Sequence, residues 1–156
     1  MARDDFACHH SFRVRWSETD AQGVVFNARY LDYADIAVTE YWRACGLRLI
    51  NPGEPLEFHV KKATVLWNAP IFPDELIEVM CRTTKIGRTS ITKVVEVHGF
   101  RDDGTEDLRA EIELVSVYVD LESHRPMVLP EWIKTVFTNF DASAKNAPLL
   151  ETVPAE

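Results

Sequence analysis

Long apolar runs are absent from this chain. No stretch approaches the ~18 to 20 uninterrupted apolar residues that a membrane-crossing helix needs. The opening residues Met1 to Phe6 also lack the basic start and apolar core of a secretory signal. No membrane insertion and a cytoplasmic location are therefore expected. Cysteine is scarce: Cys8, Cys45 and Cys81 are far apart, odd in number and without C-x-x-C spacing, so they indicate neither a disulfide framework nor a zinc site. Buried or idle thiols are the expectation. His59 and His98 lie in strand-like runs with no further ligand at metal spacing, which predicts no metal site. Positive charge is in deficit, with 17 Lys and Arg against 25 Asp and Glu and a net charge of −8. That balance argues against nucleic acid as a partner, which calls for a basic face. It leaves room for a small anionic ligand held by a few local cations.

What is present has the composition of a folded domain, 46% hydrophobic and 27% charged over 156 residues. That length buries a core without staples. No repeat and no shift in composition marks a boundary, so residues 1–156 read as a single domain with its core at about 10–140. Residues 1–9 read as a loose leader and 141–156 as a loosely packed tail. From His10 to Trp16, Phe12, Val14 and Trp16 alternate with Ser11, Arg13 and Arg15, the period of a strand with one wet face. Residues 28–45 then form a long helix, apolar on most sides, with Asp32, Asp35, Thr39 and Arg43 on one polar stripe and Gly46 placed to end it. Glu40 and Arg43 are spaced as a solvated pair. Trp42, Trp67 and Trp132 read as core or interface side chains ahead of pocket walls.

A loop at Asn51 to Pro55 precedes four strand-like runs at about 57–68, 75–85, 90–101 and 108–121. Asp102-Asp103-Gly104 is a turn that joins antiparallel strands, and Pro130 opens a short helix. The economical packing is α+β: one curved antiparallel sheet of about five strands wrapped around one long central helix.

Between the first strand and the helix lies Trp16-Ser17-Glu18-Thr19-Asp20-Ala21-Gln22-Gly23-Val24-Val25-Phe26-Asn27. A carboxylate held beside a helix start sits near N–H groups of positive partial charge, an arrangement suited to attack on a carbonyl. Asp20 reads as nucleophile or general base, or else as a turn residue; Gly23 as a turn glycine or a point of close ligand approach. Asn27 can cap the helix through its side chain while backbone N–H groups stay free. Asp35 either faces the site as a second acid or pairs with a base. The turn of Lys85, Arg88, Thr89 and Ser90 either holds phosphates or is simply solvated.

Thr19-Asp20-x-x-Gly23-Val24-Val25-x-x-x-x-Tyr30 ahead of a buried helix resembles the signature of the hotdog-fold acyl-CoA thioesterases. It is most similar to the 4-hydroxybenzoyl-CoA thioesterase-like group, which includes the Tol-Pal-cluster-associated enzymes. The resemblance takes in Ala69-Pro70-Ile71-Phe72-Pro73-Asp74-Glu75-Leu76 and the region of Arg88-Thr89-Ser90, and covers roughly residues 10 to 125. It implies hydrolysis of acyl-CoA to free acid and CoA without cofactor, in a homodimer or homotetramer with sites at the subunit interface. Asp20 corresponds to the catalytic carboxylate and the backbone N–H of Asn27 to the oxyanion donor. On the reading of the residues themselves, Gly23, Val24, Val25, Tyr30, Asp35, Lys85, Arg88, Thr89 and Ser90 form the expected substrate-binding set. Two positions depart from many members: Trp16 stands where Tyr is common, and Asn27 where His or Tyr is common. A non-catalytic acyl-CoA-binding or scaffold protein, and a thioesterase acting on carrier-protein thioesters, are the alternatives.

Overall fold

The structure is a computed structural model that describes residues 2–47 and 57–153; the loop expected at 51–55 lies outside the described residues. Five strands form one antiparallel sheet in the order β1-β3-β4-β5-β2, with β1 at Cys8–Arg13, β2 at Phe58–Trp67, β3 at Leu76–Ile86, β4 at Ser90–Phe100 and β5 at Glu106–Tyr118. Helix α1, Arg29–Ala44, lies against the sheet, and α2, Glu131–Asp141, packs beside it. This is the hotdog arrangement that the motif implied.

The alternation within each strand sends one set of side chains to α1. Val95 and Val97 on β4, Ala110 and Ile112 on β5 and Ile77, Val79 and Cys81 on β3 join Tyr30, Tyr33, Ala34, Ala37 and Tyr41 in one core. Gly46, at φ +81°, takes the left-handed conformation just past the helix, as its position predicts. Cys8 and Cys81 are buried and all three thiols are free; burial pushes Cys8 up to about 11 and Cys45 up to about 12.

Two expectations are corrected. β1 ends at Arg13, not at Trp16. Past it, Val14 exchanges hydrogen bonds with Glu75 and Asp74, the chain turns, and Trp16 opens a 3-10 turn with 76% of its surface exposed. The first nine residues are not a loose leader. Phe6 is buried against Met80 and Val94 on the far face of the sheet, and Arg3 pairs with Glu78 and Glu106. The sheet also gains a sixth strand, β6 at Glu151–Thr152, parallel to β3. Beyond Asp141, Leu149 is fully exposed, yet the segment is pinned where Arg82 donates to the Pro148 carbonyl and the Asn146 N–H to the Asp4 carbonyl.

Candidate active site

The motif forms a tight turn laid across the helix start. The Gly23 N–H donates to the Asp20 carbonyl at 3.0 Å and the Asp20 N–H to the Val24 carbonyl at 2.9 Å. Gly23 has φ +77°, a left-handed conformation that glycine takes without strain. The Asp20 side chain closes a second ring, its Oδ1 accepting the Gln22 N–H at 2.8 Å. Its Oδ2 has no hydrogen-bond partner among the described residues. Asp20 is half-buried.

Two anchors hold this turn to the fold. Val25, buried in the core, donates its N–H to the Ile71 carbonyl at 2.8 Å, and Phe26 donates to the Glu18 carbonyl at 3.0 Å. Glu18 Oε1 accepts both the Arg15 N–H and the Tyr33 hydroxyl, each at 3.0 Å. Burial first, and then the Glu18 contact, push the Tyr33 phenol far above its ordinary range, so it stays a donor.

Asn27 does not cap the helix through its side chain: the capping position is Ala28, with no side-chain cap. The first helical bonds run from Arg29 to the Phe26 carbonyl at 2.9 Å and from Tyr30 to the Asn27 carbonyl at 3.4 Å. The backbone N–H groups of Asn27 and Ala28 have no acceptor among the described residues. They are the unfilled donors of the helix start.

A cavity of about 420 Å³ continues along α1. Leu31, Asp35, Val38 and Trp42, at helical spacings, form one wall; Phe58, Leu114 and Lys93 face them from the sheet. Asp35 is exposed at the rim, and the expected pairing with a base is not found among the described residues. Trp42, read as core or interface ahead of a pocket wall, is buried and also lines this cavity. Lys93 was not singled out by the motif. It is 4% exposed, with its ammonium 4.3 Å from the centre of the Phe137 ring, and burial pulls it down to about 8. Its signal in the sequence is phase: Lys93 falls in step with Ile91, Val95 and Val97, all buried, on the face that strand periodicity sends to the core.

The remaining residues of the expected set divide. Gly23 and Val24 are at the turn, while the side chains of Val25 and Tyr30 are in the core and hold the turn from behind. Lys85, Arg88, Thr89 and Ser90 are not brought to Asp20 within one chain. They surround the β3–β4 turn, where Ser90 opposes Val117 on β5, whereas the helix start adjoins Trp67, which opposes Ala110. Seven residues of β5 separate those rows, about 23 Å. Lys85 is paired with Glu151 at 3.3 Å. Among the described residues, no group of three or more His, Cys, Asp or Glu side chains could hold a metal ion. No helix there is long and apolar enough to cross a membrane.

Comparison with known families matches residues 14–137 to the thioesterase-like superfamily. The chain belongs to that superfamily. It is an enzyme of the thioester-hydrolase class. The acyl-CoA thioester hydrolase YbgC of Escherichia coli O6:H1 is 30% identical over 126 residues, which are 80% of this chain and 91% of that protein. The acyl-CoA thioesterase YbgC of Haemophilus influenzae is 27% identical over 127 residues, covering 80% and 90%. Among solved structures, a Thermus thermophilus thioesterase complexed with coenzyme A and Zn superposes with a TM-score of 0.75 at 27% identity, covering 88% of this chain and 97% of that one. The 4-hydroxybenzoyl-CoA thioesterase of Pseudomonas sp. strain CBS-3 shares the fold, with a TM-score of 0.73, 17% identity and coverage of 83% and 97%. The matched span of the superfamily begins at Val14 and so takes in the whole Asp20 turn, α1 and the sheet from β2 to β5.

Proposed function

We propose that the chain hydrolyses acyl-CoA thioesters, with Asp20 as the reacting carboxylate and the Asn27 N–H as oxyanion donor. One observation carries this reading: a half-buried carboxylate with an unpartnered oxygen lies a single turn of chain before unfilled N–H donors at a helix start. The free oxygen attacks the thioester carbonyl and expels the CoA thiolate, giving a mixed anhydride that water cleaves, or it takes a proton from a water that displaces the thiolate directly. Either route puts negative charge on the carbonyl oxygen, where a fixed N–H stabilises it by about 2.7 to 4 kcal/mol. The products are the free acid and CoA. The YbgC relatives, described as acting on acyl-CoA, support the same substrate class.

The functional unit in this reading is a homodimer joined through β2. β2 is an edge strand ten residues long with Val60, Leu66 and Trp67 more than half exposed. The other edge, β1, is shorter and exposes Ser11 and Arg13. Antiparallel pairing of two β2 strands about a two-fold axis reverses the partner's direction. The helix start of one protomer then meets the partner's β3–β4 turn, so Lys85, Arg88, Thr89 and Ser90 reach toward the CoA phosphates from across the interface.

Thiol release from short, long and aromatic acyl-CoAs, with wild type and Asp20→Asn, tests the chemistry. The substitution lowers the best rate by about 100-fold or more. An Asp20→Asn variant as fast as wild type sinks the assignment of Asp20, and a wild type that binds acyl-CoA without cleaving any makes the chain a binding module.

A further inference from the structure

Lys93 is an unusual wall for an apolar cavity. Its side chain is more than nine-tenths buried, yet among the described residues its ammonium makes no hydrogen bond and no ion pair. What surrounds it are aromatic faces: Phe137 at 4.3 Å, Tyr41 at 5.6 Å and Phe58 at 5.8 Å from the ring centres. Such faces attract a cation weakly and offer it no acceptor. A buried ammonium in that state is costly, and methionine of similar volume would fill the place without that cost. Of the nearby acids, Asp141 is turned to other partners. Its Oδ2 accepts the Tyr41 hydroxyl at 2.8 Å and the Thr83 N–H at 3.1 Å, while its Oδ1 is buried without a partner. Asp35 stands exposed at the rim.

The cavity also runs in the right direction. Leu31 is one helical turn beyond Asn27, so the mouth begins about 6 Å from the oxyanion donor. On the sheet, Lys93 opposes Leu114, four residues along β5 from Ala110, whose β2 partner Trp67 touches Tyr30 at the helix start. The ammonium side of the cavity is thus on the order of 13 Å from the reacting end.

We propose that this cavity is the acyl subsite and that Lys93 makes it selective for acyl groups ending in a carboxylate. The inference rests on the thioester-hydrolase reading for its substrate class. A terminal carboxylate supplies the charge and the acceptor that Lys93 lacks, and the aliphatic part of the same chain fills the apolar length between. A methyl-terminated chain fills the walls but leaves the ammonium as it is, and a terminal hydroxyl answers it only as a neutral acceptor.

The test compares dodecanedioyl-CoA, hydroxydodecanoyl-CoA bearing its hydroxyl at the chain end, and dodecanoyl-CoA, using wild type and Lys93→Met. In wild type, kcat/KM for the dicarboxylic thioester exceeds that for the methyl-terminated one by about ten- to a hundredfold, with the hydroxyl chain between. In the Lys93→Met variant the order reverses. Binding of the matching non-hydrolysable thioethers, followed calorimetrically, separates the two levels of the reading. Selective binding without hydrolysis keeps the subsite and removes the hydrolase assignment. Hydrolysis with the same carboxyl-to-methyl ratio in both proteins overturns the subsite and leaves the hydrolase standing. Equal binding of all chains, with Lys93→Met merely less stable, makes Lys93 a counter-ion to Asp141 and likewise overturns it.

Discussion

Lys93 holds its ammonium over the face of Phe137, a contact that exists only because α2 packs against α1 and the sheet. The pair joins the middle of the sheet to the second helix.

Stability should show the cost of that charge. Burial lowers Lys93 from 10.5 to about 8, so the native state binds its proton less tightly than the unfolded chain. The unfavourable contribution, about 3 kcal/mol, is fully present below pH 8 and disappears as pH rises toward 10.5. Lys93→Met should therefore be more stable than wild type near neutral pH, and the gap should close between pH 8 and 10.5. Urea unfolding of both proteins across that range measures it; a gap that does not change with pH contradicts the assignment. The Cys and Tyr groups pushed up by burial act in the opposite sense in alkali; Cys8 and Tyr33 cancel in the comparison, whereas Cys45 and Cys81, held down by the Lys93 charge, rise further in the variant.

Tyr41→Phe should loosen the contact between α1 and α2. The hydroxyl lies 2.8 Å from Asp141 Oδ2 and 2.8 Å from Thr83 Oγ1, all buried. Removing it leaves the Asp141 carboxyl, already pushed up by burial, with one partner fewer. A loss of about 1 to 3 kcal/mol in chemical unfolding is expected. A loss under a few tenths would mean that water replaces the hydroxyl.

Arg82 ties both chain ends to the sheet. It is 1% exposed and donates to the Asp5 carbonyl at 2.8 Å and the Pro148 carbonyl at 3.0 Å. Arg82→Ala should cost about 2 to 4 kcal/mol, and Arg82→Lys should recover only part, because one ammonium does not reproduce the forked pair of contacts. Limited proteolysis should cut the variant first near both termini. Cleavage confined to one end would show that the other is held independently.

Gly99 is linked to the Asp20 turn through Arg109. A Cβ there would collide with the Arg109 guanidinium, which bridges Glu75 at 2.7 Å, Asp107 at 2.9 Å and the Pro70 carbonyl at 2.8 Å. The residue after Pro70, Ile71, receives the Val25 N–H that anchors the Asp20 turn. Gly99→Ala should cost about 1 to 3 kcal/mol and lower kcat more than it raises KM. An unchanged kcat in a destabilised variant would break the proposed link to the turn.

The β2 edge should control assembly. Sedimentation of wild type is expected to show a dimer or larger species, and the double change Val60→Glu and Leu66→Glu should give a monomer, since like charges would meet across the two-fold. That monomer should lose thiol release. A wild-type monomer with full activity would contradict the shared site.

Local pattern was enough for much of this. The alternation in 110–114, the helix from Arg29 to Ala44 with glycine past its end, and the Asp20–Gly23 turn all depend on neighbours a few residues apart, so the sequence by itself determined them. The end of β1 was decided elsewhere, by Glu75 and Asp74 capturing Val14. Phe6 became core only because Met80 and Val94 are brought beneath it. Lys93 is the clearest case. Strand phase turns its side chain inward, but whether a lysine so placed is partnered depends on residues from α1, β2 and α2, far apart in the chain, and only the tertiary structure brings those together.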